Sequence, residues 1–222
     1  MISQDKISTT FDHLIFGSYS LEDGVSFIYE RLGVLPQKGG QHLMMGTHNA
    51  VVKLEDQTYL EVIAIDPSLS NPQRPRWFGM DTLQPGSEPK LLTWVVRTND
   101  IQGAVDRSTM QHGKIESLQR DSYQWQIAIP ENGQMPLQGI APTIIQWQGQ
   151  THPAQLLSPS DLTLEAIEAW HPNATEVNEW LSQIGYQGKF TAHLPEGGKT
   201  DKSRLKVTLG SKKGNITFES FV

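Results

Sequence analysis

The 222-residue chain contains no cysteine. That excludes a disulfide framework, a cysteine nucleophile and any thiolate metal site. A metal ligand would have to come from His, Asp, Glu, Asn, Gln or a backbone carbonyl. Excess positive charge is also lacking: 18 Lys and Arg stand against 24 Asp and Glu, a net charge of −6. Such a chain has no electrostatic footprint for nucleic acid, and no nucleic-acid partner is expected. No run approaches the ~18 apolar residues that a membrane helix needs. The opening M-I-S-Q-D-K-I-S-T-T has no apolar leader region. The expectation is a cytoplasmic protein of bacterial style with no membrane partner. Missing too are a G-x-S-x-G elbow, a Walker A loop, a G-x-G-x-x-G after a strand and an H-E-x-x-H helix.

What remains is an ordinary globular composition, 37% hydrophobic and 19% charged. The length suits one compact domain or two small ones, with ample core. A strand is expected at 12–16. A helix follows, with Leu21, Val25, Ile28 and Leu32 on one apolar face, Ser20 as N-cap and Gly33 at the C-terminal end. Strands near 42–45, 49–54 and 58–65 complete a β-α-β-β-β unit over 11–66. A proline-rich connector spans 67–90, and its Trp77-Phe78 pair points to packing.

The order then repeats over 91–149. A strand at 91–96 leads to a helix with Ile101, Ala104, Val105 and Met110 on one face, ended by Gly113. Strands are expected near 115–118, 124–129 and 143–147. The loop 130–142 has the length and composition of one that borders a site. A third copy covers 160–222, with strands at 162–169, 190–194, 205–209 and 216–221. Its helix carries Val177, Trp180, Leu181 and Ile184 on one side. The glycine pairs Gly39-Gly40 and Gly197-Gly198 fall in expected loops. Internal repetition constrains a fold more than any single element does. The fold class expected is α+β: two β-α-β-β-β modules side by side form a half-open barrel whose concave face binds a small molecule. The third unit is expected to add a further module to that pair. An alternative sets the third unit against the first and the middle one against another subunit.

Aligned on their strand patterns, the units place His13 against Thr93, with Glu165 near that register in the third. Glu61 falls against Gln146, with Glu219 near it. Strand alternation puts His13 on one face and Leu14 and Phe16 on the other. Glu61 shares a face with Tyr59 and Ile63. A carboxylate in mid-strand is costly unless paired or metal-bound. A polar residue repeated at one register therefore argues for a site. His48 and Asn49 open a strand, and only one of them can face the cup. Trp94 and Trp147 read as packing. His112, His171 and His193 read as surface residues, and Glu165 and Glu219 as structural or interfacial.

The runs D-H-L-I-F (12–16), G-G-Q-H-L-M-M-G-T-H-N-A (39–50) and Y-L-E-V-I-A (59–64) resemble the glyoxalase-like branch of the vicinal oxygen chelate superfamily. W-V-V-R-T (94–98), I-I-Q-W (144–147) and His152-Pro153 add to the resemblance, which covers about residues 11–155. It implies a cup around a divalent ion, Zn, Mn, Fe, Ni or Co, with ligands on the first and fourth strands of each module. His13 and Glu61 would be ligands from the first module, and Glu61 could double as a base. Thr93 and Gln146 are the second-module positions. Thr93 departs from the pattern, because a hydroxyl is a poor ligand. His48, His42 or His152 could complete the ion's shell. Thr93, Gln146, Asn49 and His152 are then expected to contact substrate. The implied function is a metal-dependent lyase, isomerase or ring-cleaving dioxygenase acting on a small substrate with vicinal oxygens. The alternative is a metal-free binding protein of the resistance type using the same cup. A homodimer is compatible with either.

Overall fold

A computed structural model describes residues 6–149, 151–195 and 202–221. Among the described residues thirteen strands and three α-helices occur, one strand more than the twelve expected, the extra one being Tyr186–Gln187. The second strand lies at Gln37–His42 and not at 42–45, because residues 43–46 form a turn. In the first module, β1 (Thr9–Ser18) leads into α1 (Leu21–Leu32), then β2 (Gln37–His42), β3 (Thr47–Glu55) and β4 (Thr58–Ile65). The second module is β5 (Lys90–Thr98), α2 (Ile101–Asp106), β6 (Lys114–Arg120), β7 (Tyr123–Ile129) and β8 (Thr143–Gln148). The third unit comprises β9 (Thr163–Trp170), α3 (Ala174–Gln183), β10 (Tyr186–Gln187), β11 (Phe190–His193), β12 (Arg204–Ser211) and β13 (Gly214–Phe221).

The helix ends are local chemistry. The Ser20 hydroxyl accepts from the Asp23 amide, 3.1 Å away, at the start of α1. Gly33 closes the helix with φ 70°, its amide donating to the Tyr29 carbonyl. Helix α2 is shorter than its apolar pattern suggests and stops at Asp106. Gly113, with φ 81°, turns the chain into β6 and ends no helix. The pair Gly39-Gly40 lies inside β2, whereas Gly197-Gly198 lies outside the described residues.

Modules one and two share one sheet in the order β2-β3-β4-β1-β5-β8-β7-β6. Within each module the first and last strands pair in parallel, β1 with β4 and β5 with β8. The modules join through the antiparallel pair β1 and β5. His13 pairs with Val95 there, and Ile15 with Thr93. These two pairs exchange under a pseudo-two-fold axis, which makes Thr93 the counterpart of His13. The sheet curls into a half-barrel. Its concave side packs Ile15, Ile63, Val95, Ile127 and Ile145. Trp77 and Phe78 of the connector pack in the same cluster, ring to ring at 5.1 Å.

The third unit keeps the β-α-β element order but not the strand order. Its sheet runs β11-β9-β12-β13, with β9 inside it. The short β10 instead pairs with β1 of the large sheet. This second sheet packs on the convex, helix-bearing face. Leu205, Val207 and Phe218 join Phe16, Ile28 and Trp94 in a single core. The Phe218 ring meets Phe16 edge-on at 4.8 Å, and Phe190 stacks on Trp94 at 4.5 Å. The intramolecular pairing of modules one and two is therefore the first of the two arrangements open in the sequence. No helix of the described residues is long and apolar enough to cross a membrane.

Candidate functional site

The concave face encloses a cavity of about 200 Å³. His13 and Glu61 form its floor, and Trp77, Trp125, Trp147 and Tyr59 stand in its walls. His13 is on β1 and Glu61 on β4, adjacent parallel strands in which Ile15 pairs with Glu61. His13 Nε2 lies 3.4 Å from Glu61 Oε2. Both residues are buried, at 4% and 5% exposure. The imidazole stacks on the Tyr59 ring at 4.4 Å, which fixes its plane.

Asp12 sits behind this pair. The pairing register of β1 with β5 shifts between Phe11 and His13, leaving Asp12 as an extra residue. Such a bulge lets neighbouring residues approach the same side of a strand. His13 Nδ1 donates to Asp12 Oδ1 at 2.5 Å. Trp147 Nε1 and His152 Nε2 donate to Asp12 Oδ2 at 3.0 and 3.1 Å. Arg97 Nη1 is 3.6 Å from the same oxygen. Burial opposes the Asp12 charge, but the hydrogen bonds and charge of His13 and His152 outweigh it, and the pKa falls far below the usual carboxylate range. Burial also opposes charge on His13. Hydrogen bonds to Asp12 and Glu61 win, and its pKa is raised to about 9. For Glu61, burial works upward, but His13 and the Asn49 amide hold the pKa down at about 2. At neutral pH the floor is an imidazolium between two carboxylates.

A second polar group stands at the mouth. Asn49 Nδ2 donates to Glu61 Oε1 at 2.5 Å, and Asn49 Oδ1 accepts from the Gly40 amide at 2.8 Å. Those two bonds fix which end of the carboxamide faces Glu61. Gly39 must be glycine for this fit, since a Cβ there would fall 1.9 Å from Asn49 Oδ1. Arg120, at the end of β6, reaches across from the second module. Its Nη1 lies 3.0 Å from His42 Nε2 and 3.4 Å from Asn49 Oδ1. His42 Nδ1 donates to the Thr47 hydroxyl at 3.1 Å, leaving Nε2 as the acceptor for Arg120. Burial, with Arg120 alongside, lowers the His42 pKa to about 4 despite Glu61, so this imidazole is neutral.

The site expected from the sequence is thus half assembled. His13, Glu61 and Asn49 come together. His48 does not: it follows the opposite parity of β3, with Nδ1 3.5 Å from Asp66 Oδ2. Thr93 is fully buried, and its hydroxyl donates to the Gly139 carbonyl at 3.0 Å beneath the 136–139 turn. That loop therefore covers Thr93 and lines a separate cleft together with Asn173 and Glu176. Gln146 points to the convex face, and its side-chain carbonyl accepts from the Ile101 amide at the start of α2. The register explains the miss. Ile63 pairs with Gly17 and Ile145 with Arg97. The pseudo-two-fold axis therefore relates Glu61 to Thr143, three residues from Gln146 and on the opposite parity. His152 stands behind the wall as a partner of Asp12, not in the cavity. His112 is not a surface residue: it is 2% exposed and packs on Trp180. Asp12, Arg120 and the wall position of Trp147 were missed. The polar pair D-H heading an apolar strand was the available signal for Asp12.

The residues do not fit a divalent ion. The second-module counterparts of His13 and Glu61 are threonines, and the Thr93 hydroxyl is committed to a backbone carbonyl. Among the described residues no three His, Asp or Glu side chains converge closely enough to hold an ion.

Fold and site together define a class: paired β-α-β-β-β modules curled into a cup with a polar floor, the vicinal oxygen chelate architecture. The profile of the glyoxalase-like domain family matches residues 11–185, and the chain belongs to that family. No curated protein matches it. Among solved structures, a hypothetical protein from Staphylococcus aureus superposes with a TM-score of 0.56 at 17% identity, over 95% of this chain and 84% of that one. That likeness concerns the fold. Methylmalonyl-CoA epimerase from Mycobacterium tuberculosis gives a TM-score of 0.40 at 12% identity, over 68% of this chain and 94% of its own. The Streptomyces coelicolor epimerase gives 0.39 at 13%, over 62% and 94%.

Proposed function

We propose that the chain is a proton-transfer enzyme, an isomerase or lyase acting on a small carbon acid with neighbouring oxygens. Glu61 is the base and His13 the charged acid beside it. The observation that carries this reading is the 3.4 Å contact between His13 Nε2 and Glu61 Oε2 at the floor of an aromatic cavity, backed by buried Asp12. The substrate C–H gives its proton to Glu61, and the electron pair moves onto the adjacent carbonyl oxygen. The His13 imidazolium donates a hydrogen bond to that oxyanion. Return of the proton to the same or the neighbouring carbon completes the turnover. A carboxylate held near pKa 2 is a weak base, so oxyanion stabilisation in a dry pocket must supply much of the rate. Asp12 keeps Nδ1 protonated and Nε2 aimed at the ligand.

The metal-dependent lyase or dioxygenase has less support, because the second module offers no ligand at either expected position. A metal-free binding role has one observation in its favour, the same pair of threonines, and shares every other contact. The test is solvent exchange. The protein in D₂O is offered hemithioacetals, hydroxyketones and 2-hydroxy acids, and loss of the C–H signal is followed by NMR. Wild type is expected to exchange at least one of these, and Glu61→Gln to fall by about 10²–10⁴-fold. Chelator treatment should leave the rate unchanged. An equal rate in Glu61→Gln removes Glu61 as the base. Loss on chelation with recovery on adding Mn or Zn would instead support the metal reading.

A further inference from the structure

Arg120 is the arginine of the cup, and among the described residues no carboxylate lies within ion-pair distance of it. Arg74, Arg76, Arg97 and Arg204 each have a carboxylate oxygen nearby, at 3.0, 2.6, 3.6 and 3.1 Å, while Arg31 and Arg107, outside the cavity, donate to backbone carbonyls. Among the described residues the Arg120 guanidinium has no such partner. Its neighbours are a neutral imidazole and a carboxamide. It lines the cavity and is half-buried. A half-buried guanidinium with no carboxylate beside it is partly desolvated without compensation. An anion entering the cup removes that cost and gains charge-assisted hydrogen bonds with the planar fork of donors.

The rest of the cavity says what the anion is attached to. Trp125 and Trp147 lie 5.5 Å apart at 49°, and Trp77 and Tyr59 add further ring surface. Flat π-faces at these angles favour an aromatic ring. The volume of about 200 Å³ lies below the roughly 300–1,000 Å³ usual for drug-sized ligands, so the ligand carries a single ring or a small fused pair. The acids of the cavity set its orientation. Glu61 occupies the floor and Asp121 the rim, and the exposed Lys38 adds a cation at the mouth. Asn49 bridges from Arg120 to Glu61, keeping the anion-binding group one side chain away from the base.

We propose that the cup takes an aromatic carboxylate, with its carboxylate on Arg120 and its ring against the tryptophan walls. This deepens the proton-transfer reading and rests on it only for the choice of the cup as the reacting site. The experiment follows the tryptophan fluorescence of the full chain on titration with benzoate, phenylacetate and indole-3-acetate. Phenylacetamide and cyclohexylacetate serve as neutral and non-aromatic counterparts. Saturable binding of at least one aryl carboxylate is expected. The amide should bind about tenfold or more weakly than phenylacetate. Arg120→Gln should weaken phenylacetate by a similar factor and leave the amide unchanged. Arg120→Lys should fall between, because it keeps the charge and loses the fork. A circular-dichroism melt of each variant shows that it is folded.

Equal affinity for acid and amide, or an unaffected Arg120→Gln that melts normally, overturns the role of Arg120. Equal affinity for phenylacetate and cyclohexylacetate overturns the aromatic half of the proposal. No saturable binding across the panel overturns it whole. Glu61→Gln separates this from the catalytic reading. If it binds phenylacetate like wild type while exchange is absent in both proteins, the base assignment fails and the ligand assignment stands.

Discussion

His13 shows how two neighbours reverse the ordinary consequence of burial. An imidazole 4% exposed would normally be neutral, as His42 is on the neighbouring wall of the cavity. The difference is the company each keeps. His42 has a hydroxyl and an arginine within bonding distance, whereas His13 has a carboxylate at each ring nitrogen. The consequence is measurable as stability. The folded pKa of about 9 exceeds the unfolded value of 6.5, so the stabilisation is complete below pH 6.5 and is lost as pH rises through 9. The raised pKa corresponds to at most about 3 kcal/mol. Urea midpoints of wild type should therefore fall between pH 6.5 and 9, and those of His13→Gln should stay flat over that window. Parallel curves for the two proteins would mean that His13 is not charged in the fold. The same titration should remove the imidazolium from turnover, giving an exchange rate that declines above about pH 9.

At the scale of elements, the sequence was most readable where one periodicity ruled and least where a strand was irregular. The α1 boundaries follow from Ser20 and Gly33, and the two-module cup from the repeated element order and the family resemblance. His13 and Glu61 were legible because each is a polar residue in an otherwise apolar strand. The second-module positions were not, since periodicity fixes a face only after the register is known. Placing Gln146 opposite Glu61 shifted β8 by three residues, an odd number, which exchanges the faces. The bulges at Phe11/His13 and Ile15/Phe16 have no signature in the composition of β1. Arg120 was invisible for another reason, since it reaches the cup only because β6 lies near β2 in three dimensions. The register makes its own prediction. Gln146 accepts from the Ile101 amide, so Gln146→Ala leaves a helix-start donor unpaired and should cost about 1 kcal/mol. It should leave ligand affinity and exchange untouched. A loss of binding at unchanged stability would put Gln146 back in the cup.

On the scale of the whole molecule, β1 is the part that every layer shares. It pairs with β4, β5 and β10, presents His13 to the cup with Asp12 behind it, and turns Phe16 into the convex core. The third unit covers that core. Its four-stranded sheet sets β9 between β11 and β12, and Glu165 and Glu219 end in ion pairs with Lys189 and Arg204. Its contribution is the apolar face that closes over Phe16, Ile28 and Trp94. Phe218 is the central contact, edge-on to Phe16 and beneath the Arg31 guanidinium at 4.9 Å from the ring centre. Phe218→Ala should cost about 3–5 kcal/mol, the usual range for a buried phenylalanine, and lower the melting temperature of the whole chain in one transition. Below that transition the exchange rate and aryl-carboxylate affinity should match wild type, because nothing on the concave face has changed. Two separate transitions, with only the first shifted, would show that the third unit folds independently and that the convex core is not shared.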